Sequence, residues 1–183
     1  MNLFSANQLM WAAFIVGNSA PLLFIALYYT QKISRELFNL YFLGVLVGLT
    51  WEIPFALAGK SFHLILIDWP IDLPLVRNIT YSFIDGLIFV AGVFLAKAFL
   101  KNKQFLHNYS SSALLIMILW GSFSEFLVDL NGNGKLWLFI ENWYNPVFIT
   151  INGNGLTIIP QLIWFVAPIL YYFTILRCLQ KKI

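Results

Sequence analysis

The sequence predicts an all-α integral membrane protein: a bundle of five transmembrane helices forming one domain over residues 1–183, N-terminus outside and C-terminus cytoplasmic. Three observations predict it. The chain is 60% hydrophobic and only 10% charged, with a mean hydropathy of +0.79, whereas about 25% of the residues of a water-soluble domain are charged. Five apolar stretches reach the roughly 20 residues that a helix needs to cross a bilayer. Basic residues are biased to alternate linkers, the asymmetry that orients a membrane protein.

The apolar stretches run over 8–30, 37–58, 79–100, 111–130 and 156–176, separated by polar or charged linkers. Lys32 and Arg35 lie in the first linker, Lys97, Lys101 and Lys103 at the third, and Arg177, Lys181 and Lys182 in the tail. These are eight of the eleven basic residues. The second and fourth linkers hold Lys60, Arg77 and Lys135. The basic sides are read as cytoplasmic, and an odd number of spans puts the termini on opposite sides. The first segment has no basic region and no small-residue cleavage site before it, so it reads as a retained helix. The membrane expected is the endoplasmic reticulum if the source is eukaryotic and the inner membrane if it is bacterial.

Several chemistries are excluded. Cys178 is the one cysteine, so there is neither an intrachain disulfide nor a redox pair. The basic residues form no nucleic-acid footprint. No P-loop, nucleophile elbow or dinucleotide fingerprint occurs, and no cofactor is expected. His63 and His107 fall in linkers on opposite sides, so no histidine metal site is expected. Asp129-x-Asn131-x-Asn133-Gly134 matches the opening of an EF-hand loop, but its twelfth position is Ile140, with Glu141 one residue late. Without the bidentate carboxylate, calcium is not expected either.

The fourth linker holds an aromatic, apolar segment, 136–151, too short and too polar to span. It reads as a lid in the outer interface anchored by Trp137, Trp143 and Tyr144, or as a simple surface connector. Asn131-Gly-Asn-Gly134 and Asn152-Gly-Asn-Gly155 bracket it. Both are turn sequences and would serve as its hinges.

Four of the eight acidic residues fall in the spans: Glu52, Asp85, Glu125 and Asp129. A charged side chain there costs roughly 2.5–3.5 kcal/mol on insertion scales, so such groups face the bundle interior or a wet cavity. Counted along the helices at a rise of ~1.5 Å per residue, Glu52, Asp85 and Glu125 all lie roughly 7–9 Å below the outer boundary. Asp129 sits at the rim. No basic residue of a span shares that depth. A desolvated carboxyl without a cationic partner favours its neutral form, and a neutral acid can donate a proton. Gly44, Gly48 and Glu52 share a helix face, as do Gly121, Glu125 and Asp129, and the glycines would leave grooves beside the acids. Gly86 and Gly92 lie near Asp85. Trp51, Trp120 and Trp164 offer π faces that can hold a cation.

These residues resemble the emopamil-binding-protein superfamily, the EXPERA fold, over about residues 37–179, in helix order and in the long loop before the last helix. The clearest match is Asn145-Pro146 followed by Gln161-Leu-Ile-Trp164-Phe-Val-Ala-Pro168. Gly48-Leu-Thr-Trp-Glu52 resembles the family's His-x-x-x-Glu step, with Gly48 in place of the histidine and Gln161 in place of an asparagine. Glu52 and Asp85 correspond to its acids. The Trp51-Glu52 pair is also similar to one in membrane-bound terpene cyclases. Both resemblances imply protonation of an alkene by a buried acid.

The function expected is therefore intramembrane acid–base chemistry on a sterol-like or terpenoid alkene through a carbocation, by an isomerase or cyclase. Glu52, Asp85 and Glu125 are the expected catalytic groups. Gly48, Trp51, Trp120, Asp129, Asn145, Gln161 and Trp164 are the expected ligand-binding residues. The expected partners are a lipophilic small molecule and membrane lipids, with a homodimer left open and nucleic acid excluded. The rival readings are a non-catalytic sterol or lipid carrier, and a proton-coupled transporter or complex subunit.

Overall fold

In hydrocarbon, backbone N–H and C=O groups must bond within their own segment, and for an apolar stretch the α-helix does this. Five helices form: α1 (Ala6–Tyr29), α2 (Arg35–Ala58), α3 (Pro74–Phe99), α4 (Ser111–Gly132) and α5 (Ile158–Gln180). All five are long and apolar enough to cross a membrane. The structure, a computed structural model, describes residues 4–100, 103–151 and 153–180; Lys101, Asn152, Lys181, Lys182 and the side chain of Lys103 lie outside the described residues.

Local chemistry sets the helix starts. The hydroxyls of Ser5, Ser34 and Ser110 each accept a backbone N–H three residues on and cap α1, α2 and α4. Pro74 opens α3 at a position where its missing N–H has no intrahelical role. That start precedes the expected 79 and carries Arg77 and Asn78 into the helix. The start of α5 is held from a distance: the side chain of Asn145 accepts from Ile159 N at 3.0 Å, and the Pro146 carbonyl accepts from Ile158 N.

Helices α2 and α3 pack most extensively against each other, α4 packs on α5, and α1 lies on α3. Glycine sets the first contact. A Cβ added at Gly44 would lie 3.1 Å from the Gly86 Cα, and one at Gly48 would lie 2.6 Å from Asp85 Oδ2. The groove expected beside Glu52 is thus filled by α3. Likewise Gly92 makes room for Trp120, and Gly121 for Pro168 and the Trp164 carbonyl. That carbonyl has no helical donor, because Pro168 stands four residues on. Phe89 stacks between Trp164 (5.4 Å) and Tyr171 (4.5 Å) at the centre of the bundle. Leu22, Leu57, Leu119 and Phe123 are exposed on the outside, the surface that a lipid solvent accepts.

Two small sheets cover one end of the bundle. β1 (His63–Ile65) pairs antiparallel with β2 (Trp137–Phe139), with His63 opposite Phe139. β3 (Val147–Ile151) and β4 (Asn154–Thr157) form a hairpin whose turn holds Gly153 at φ +81°. The segment expected as an interfacial lid is therefore two strands in two different sheets, and Leu156 belongs to a strand rather than to the fifth helix. Of its expected anchors, Trp143 is exposed but Trp137 is buried. The first Asn-Gly run is not a free hinge. Gly132 ends α4 directly beneath the Trp137 ring, and Gly134 (φ +76°) lies against the Asn154 side chain. With Asp129 and Asn131 inside α4, the EF-hand likeness does not take a loop form.

Candidate functional site

At the strand-covered end, all five helices and both strands of the first sheet surround a cavity of about 230 Å³. Glu52 of α2, Asp85 of α3 and Glu125 of α4 all line it, so three acids 33 to 73 residues apart in sequence share one space. Apolar and aromatic groups make most of the wall: Trp51, Phe55, Ile84, Ile88, Trp137, Phe139, Ile163 and Trp164. Trp51 and Trp164 meet edge to face at 5.6 Å.

Each acid has a different setting. Glu52 Oε2 accepts a 2.7 Å hydrogen bond from Asn78 Nδ2. The Arg77 guanidinium also acts on Glu52 electrostatically. Arg77 is buried in the first turn of α3, and this corrects the expectation of a site without a cation. Asp85 Oδ2 is buried, turned toward Gly48, and without a hydrogen-bond partner among the described residues. Glu125 lies within electrostatic reach of Glu52, Asp85 and Asp129.

Five of the expected ligand residues lie outside this cavity. Gly48 is closed off by Asp85. Trp120 donates its indole N–H to the Ile88 carbonyl at 2.9 Å and joins α4 to α3. Asn145, fully buried, donates its amide N–H to Ile140 O and accepts at its amide oxygen from Ile159 N of α5. Gln161 Nε2 donates to Asp129 Oδ2 at 2.9 Å, and Trp137 Nε1 donates to Asp129 Oδ1 at 3.4 Å. Asp129 faces a second, polar cavity of about 220 Å³ with Asn133, Lys135 and Asn154. These groups hold the architecture together. Trp51 and Trp164 remain in the wall.

Two residues that the sequence reading passed over do line the cavity: His63 from β1 and Tyr81 from α3. The His63 ring stacks on Phe139 at 4.8 Å. His63 and Tyr81 both meet the Trp137 indole edge to face, at 6.3 and 5.7 Å. Neither ring nitrogen of His63, nor the Tyr81 hydroxyl, has a hydrogen-bond partner among the described residues. Burial, with the Arg77 charge nearby, pushes the imidazole down from 6.5 to about 3, so it is neutral at physiological pH.

A cavity that carries three acids among aromatic and apolar walls can move protons on an apolar molecule. It offers no cluster of three His, Cys, Asp or Glu able to hold a metal among the described residues. No family model, no curated protein and no solved structure matches the chain.

Proposed function

We propose that this is an intramembrane acid–base enzyme that isomerises or cyclises a lipophilic alkene, sterol-like or terpenoid, through a carbocation. The observation that carries the reading is the convergence of Glu52, Asp85 and Glu125 on one otherwise aromatic and apolar cavity. Asp85, whose carboxyl lines the cavity, delivers a proton to one alkene carbon, forming a C–H bond and leaving the adjacent carbon cationic. The faces of Trp51 and Trp164 stabilise that cation. Glu52, held by Asn78, takes a proton from a neighbouring carbon, and its electron pair becomes the new double bond. Between turnovers Glu125 exchanges the protons of the acids with solvent, so each new alkene meets a solvent-derived proton. Mass and oxidation state are unchanged, and no cofactor takes part. The resemblance to the emopamil-binding-protein superfamily supports the same chemistry.

The cavity is smaller than the ~300–1,000 Å³ of sites that enclose a whole drug-sized ligand, so it takes the reacting end of a long lipid. In this reading the strand-covered end and the N-terminus face outward and the basic linkers face the cytoplasm. The strands keep water, which would quench the cation, away from the acids.

The test is incubation of the purified protein with sterol and polyprenyl substrates in heavy water. The expected product is an isomer with the substrate's molecular formula, one deuterium standing in place of a hydrogen; no incorporation with any such substrate rejects the enzyme. A lipid carrier is the second reading, favoured by Gly48 where the resembling family has a histidine. It predicts binding without incorporation, abolished by Glu52→Gln.

A further inference from the structure

We propose that His63 and Tyr81 are the polar anchor of the cavity, binding a single neutral oxygen group, a hydroxyl or carbonyl, on the lipid whose apolar body lies along Trp51 and Trp164. The inference rests on the lipophilic-ligand reading above and names the head group that this ligand carries. It does not depend on turnover.

The warrant is geometric. A buried polar group is normally bonded, yet His63 is 6% exposed, lines the cavity, and leaves both ring nitrogens without a partner. The Tyr81 hydroxyl on the adjoining helix is in the same condition. The two rings flank one indole, Trp137, and so line the same end of the cavity. The strand pairing fixes His63 there, opposite Phe139, on whose ring it stacks. A neutral imidazole offers one donor and one acceptor, and a phenol offers both. Together they match an alcohol or a ketone. A carboxylate head would instead share the cavity with the Glu52 base, which repels it.

The experiment measures affinity by tryptophan fluorescence for the full chain in lipid nanodiscs, since Trp51, Trp137 and Trp164 line the cavity. Its probes are farnesol, the hydrocarbon farnesene, and farnesoic acid, with a sterol and its 3-deoxy analogue as a second pair. The wild type is expected to bind the alcohol of at least one pair about tenfold or more tighter than the matching hydrocarbon, roughly one good hydrogen bond. His63→Phe and Tyr81→Phe keep both rings and are each expected to remove most of that preference, leaving hydrocarbon affinity unchanged. Equal weakening of alcohol and hydrocarbon, an undiminished preference in both variants, or tighter binding of farnesoic acid than of farnesol overturns the anchor and leaves the lipophilic site standing. Failure of the wild type to bind any probe overturns both.

Discussion

The two ends of the bundle bury the same kinds of polar side chain and treat them in opposite ways. At the end away from the strands, every buried tyrosine hydroxyl is bonded. Tyr41 donates to Phe83 O, Tyr171 to Leu40 O and Tyr172 to Phe105 O, at 3.2, 2.9 and 2.8 Å, and Tyr172 also accepts from Ser110 N. These phenols tie helices and linkers together across apolar packing. At the strand-covered end, His63 and Asp85 are buried and Tyr81 partly buried, yet all three leave polar atoms unpartnered beside a cavity. A buried donor or acceptor left unsatisfied costs about 1–3 kcal/mol. One end of the molecule therefore commits its polar groups to stability, and the other leaves them unpaired beside the cavity, as the proposed ligand anchor requires. Functional and structural burial can be told apart by that difference, whereas low exposure is common to His63 and Asp85 at one end and Tyr41 at the other.

The largest effect expected is on turnover. Asp85→Asn or Glu52→Gln should lower deuterium incorporation about 10²–10⁴-fold, the usual contribution of a general acid or base, while the helical content by circular dichroism stays the same. Tyr171→Phe, at the bonded end, should leave incorporation within about twofold. A comparable loss in Tyr171→Phe would break the division between the two ends.

Next in size is a pH effect carried by His63. In the folded chain burial holds it down to about 3, whereas the unfolded imidazole titrates near its ordinary 6.5. Between those values the unfolded state binds a proton that the folded state refuses. Stability is therefore full above about pH 6.5 and falls as the pH drops toward 3, with a slope from this group approaching ~1.4 kcal/mol per pH unit. Unfolding in mixed detergent micelles at pH 7 and pH 5 measures it. His63→Phe should flatten that part of the profile and, by removing an unsatisfied group, should be no less stable than the wild type at pH 7.

Much of this division could be read in the sequence and part could not. Five apolar stretches of spanning length made five helices, because length and hydropathy act locally. The levels of Glu52, Asp85 and Glu125 followed from helical rise, and the three do share a cavity. Lateral packing was not legible. The glycines at 44 and 48 were consistent with a groove or a helix seam, and only α3 seated against them decides for the seam. His63 and the Trp137-Leu-Phe139 run sat in separate linkers 74 residues apart by first residue, and their pairing is a non-local event that periodicity does not report. A signal was present, since His63-Leu-Ile-Leu-Ile67 is a short apolar run of strand character. Arg77 was misplaced because two polar residues lowered the hydropathy of a helix start that Pro74 marks.

A smaller effect tests the seam beneath Asp85. Gly48→Ala puts a methyl 2.6 Å from Asp85 Oδ2 and 3.0 Å from its Cβ, so the side chain must shift. Overpacking of this kind costs about 1–3 kcal/mol. The variant should unfold at lower denaturant and, by displacing Asp85 from its place in the cavity, lose turnover out of proportion to that change. Gly153→Ala, in open space at a positive φ in the distant hairpin turn, should lose a little stability and no turnover.

The smallest expected difference bears most directly on the contrast between the ends, because it compares one substitution at two sites. Tyr171→Phe removes a 2.9 Å hydrogen bond to the Leu40 carbonyl. That carbonyl also lies in the α2 backbone ladder and is not orphaned, so the loss should be near the ~1 kcal/mol of an ordinary hydrogen bond. Tyr81→Phe removes a hydroxyl that bonds to nothing among the described residues. It should leave stability unchanged or raise it, as deletion of an unsatisfied buried group does. Unfolding of the two variants side by side, in ligand-free detergent, gives the sign. With a bound alcohol the order should tighten, since the ligand stabilises the wild type and Tyr171→Phe by mass action but Tyr81→Phe much less. If Tyr81→Phe loses as much as Tyr171→Phe without ligand, the Tyr81 hydroxyl is structural and the two ends of the bundle do not differ.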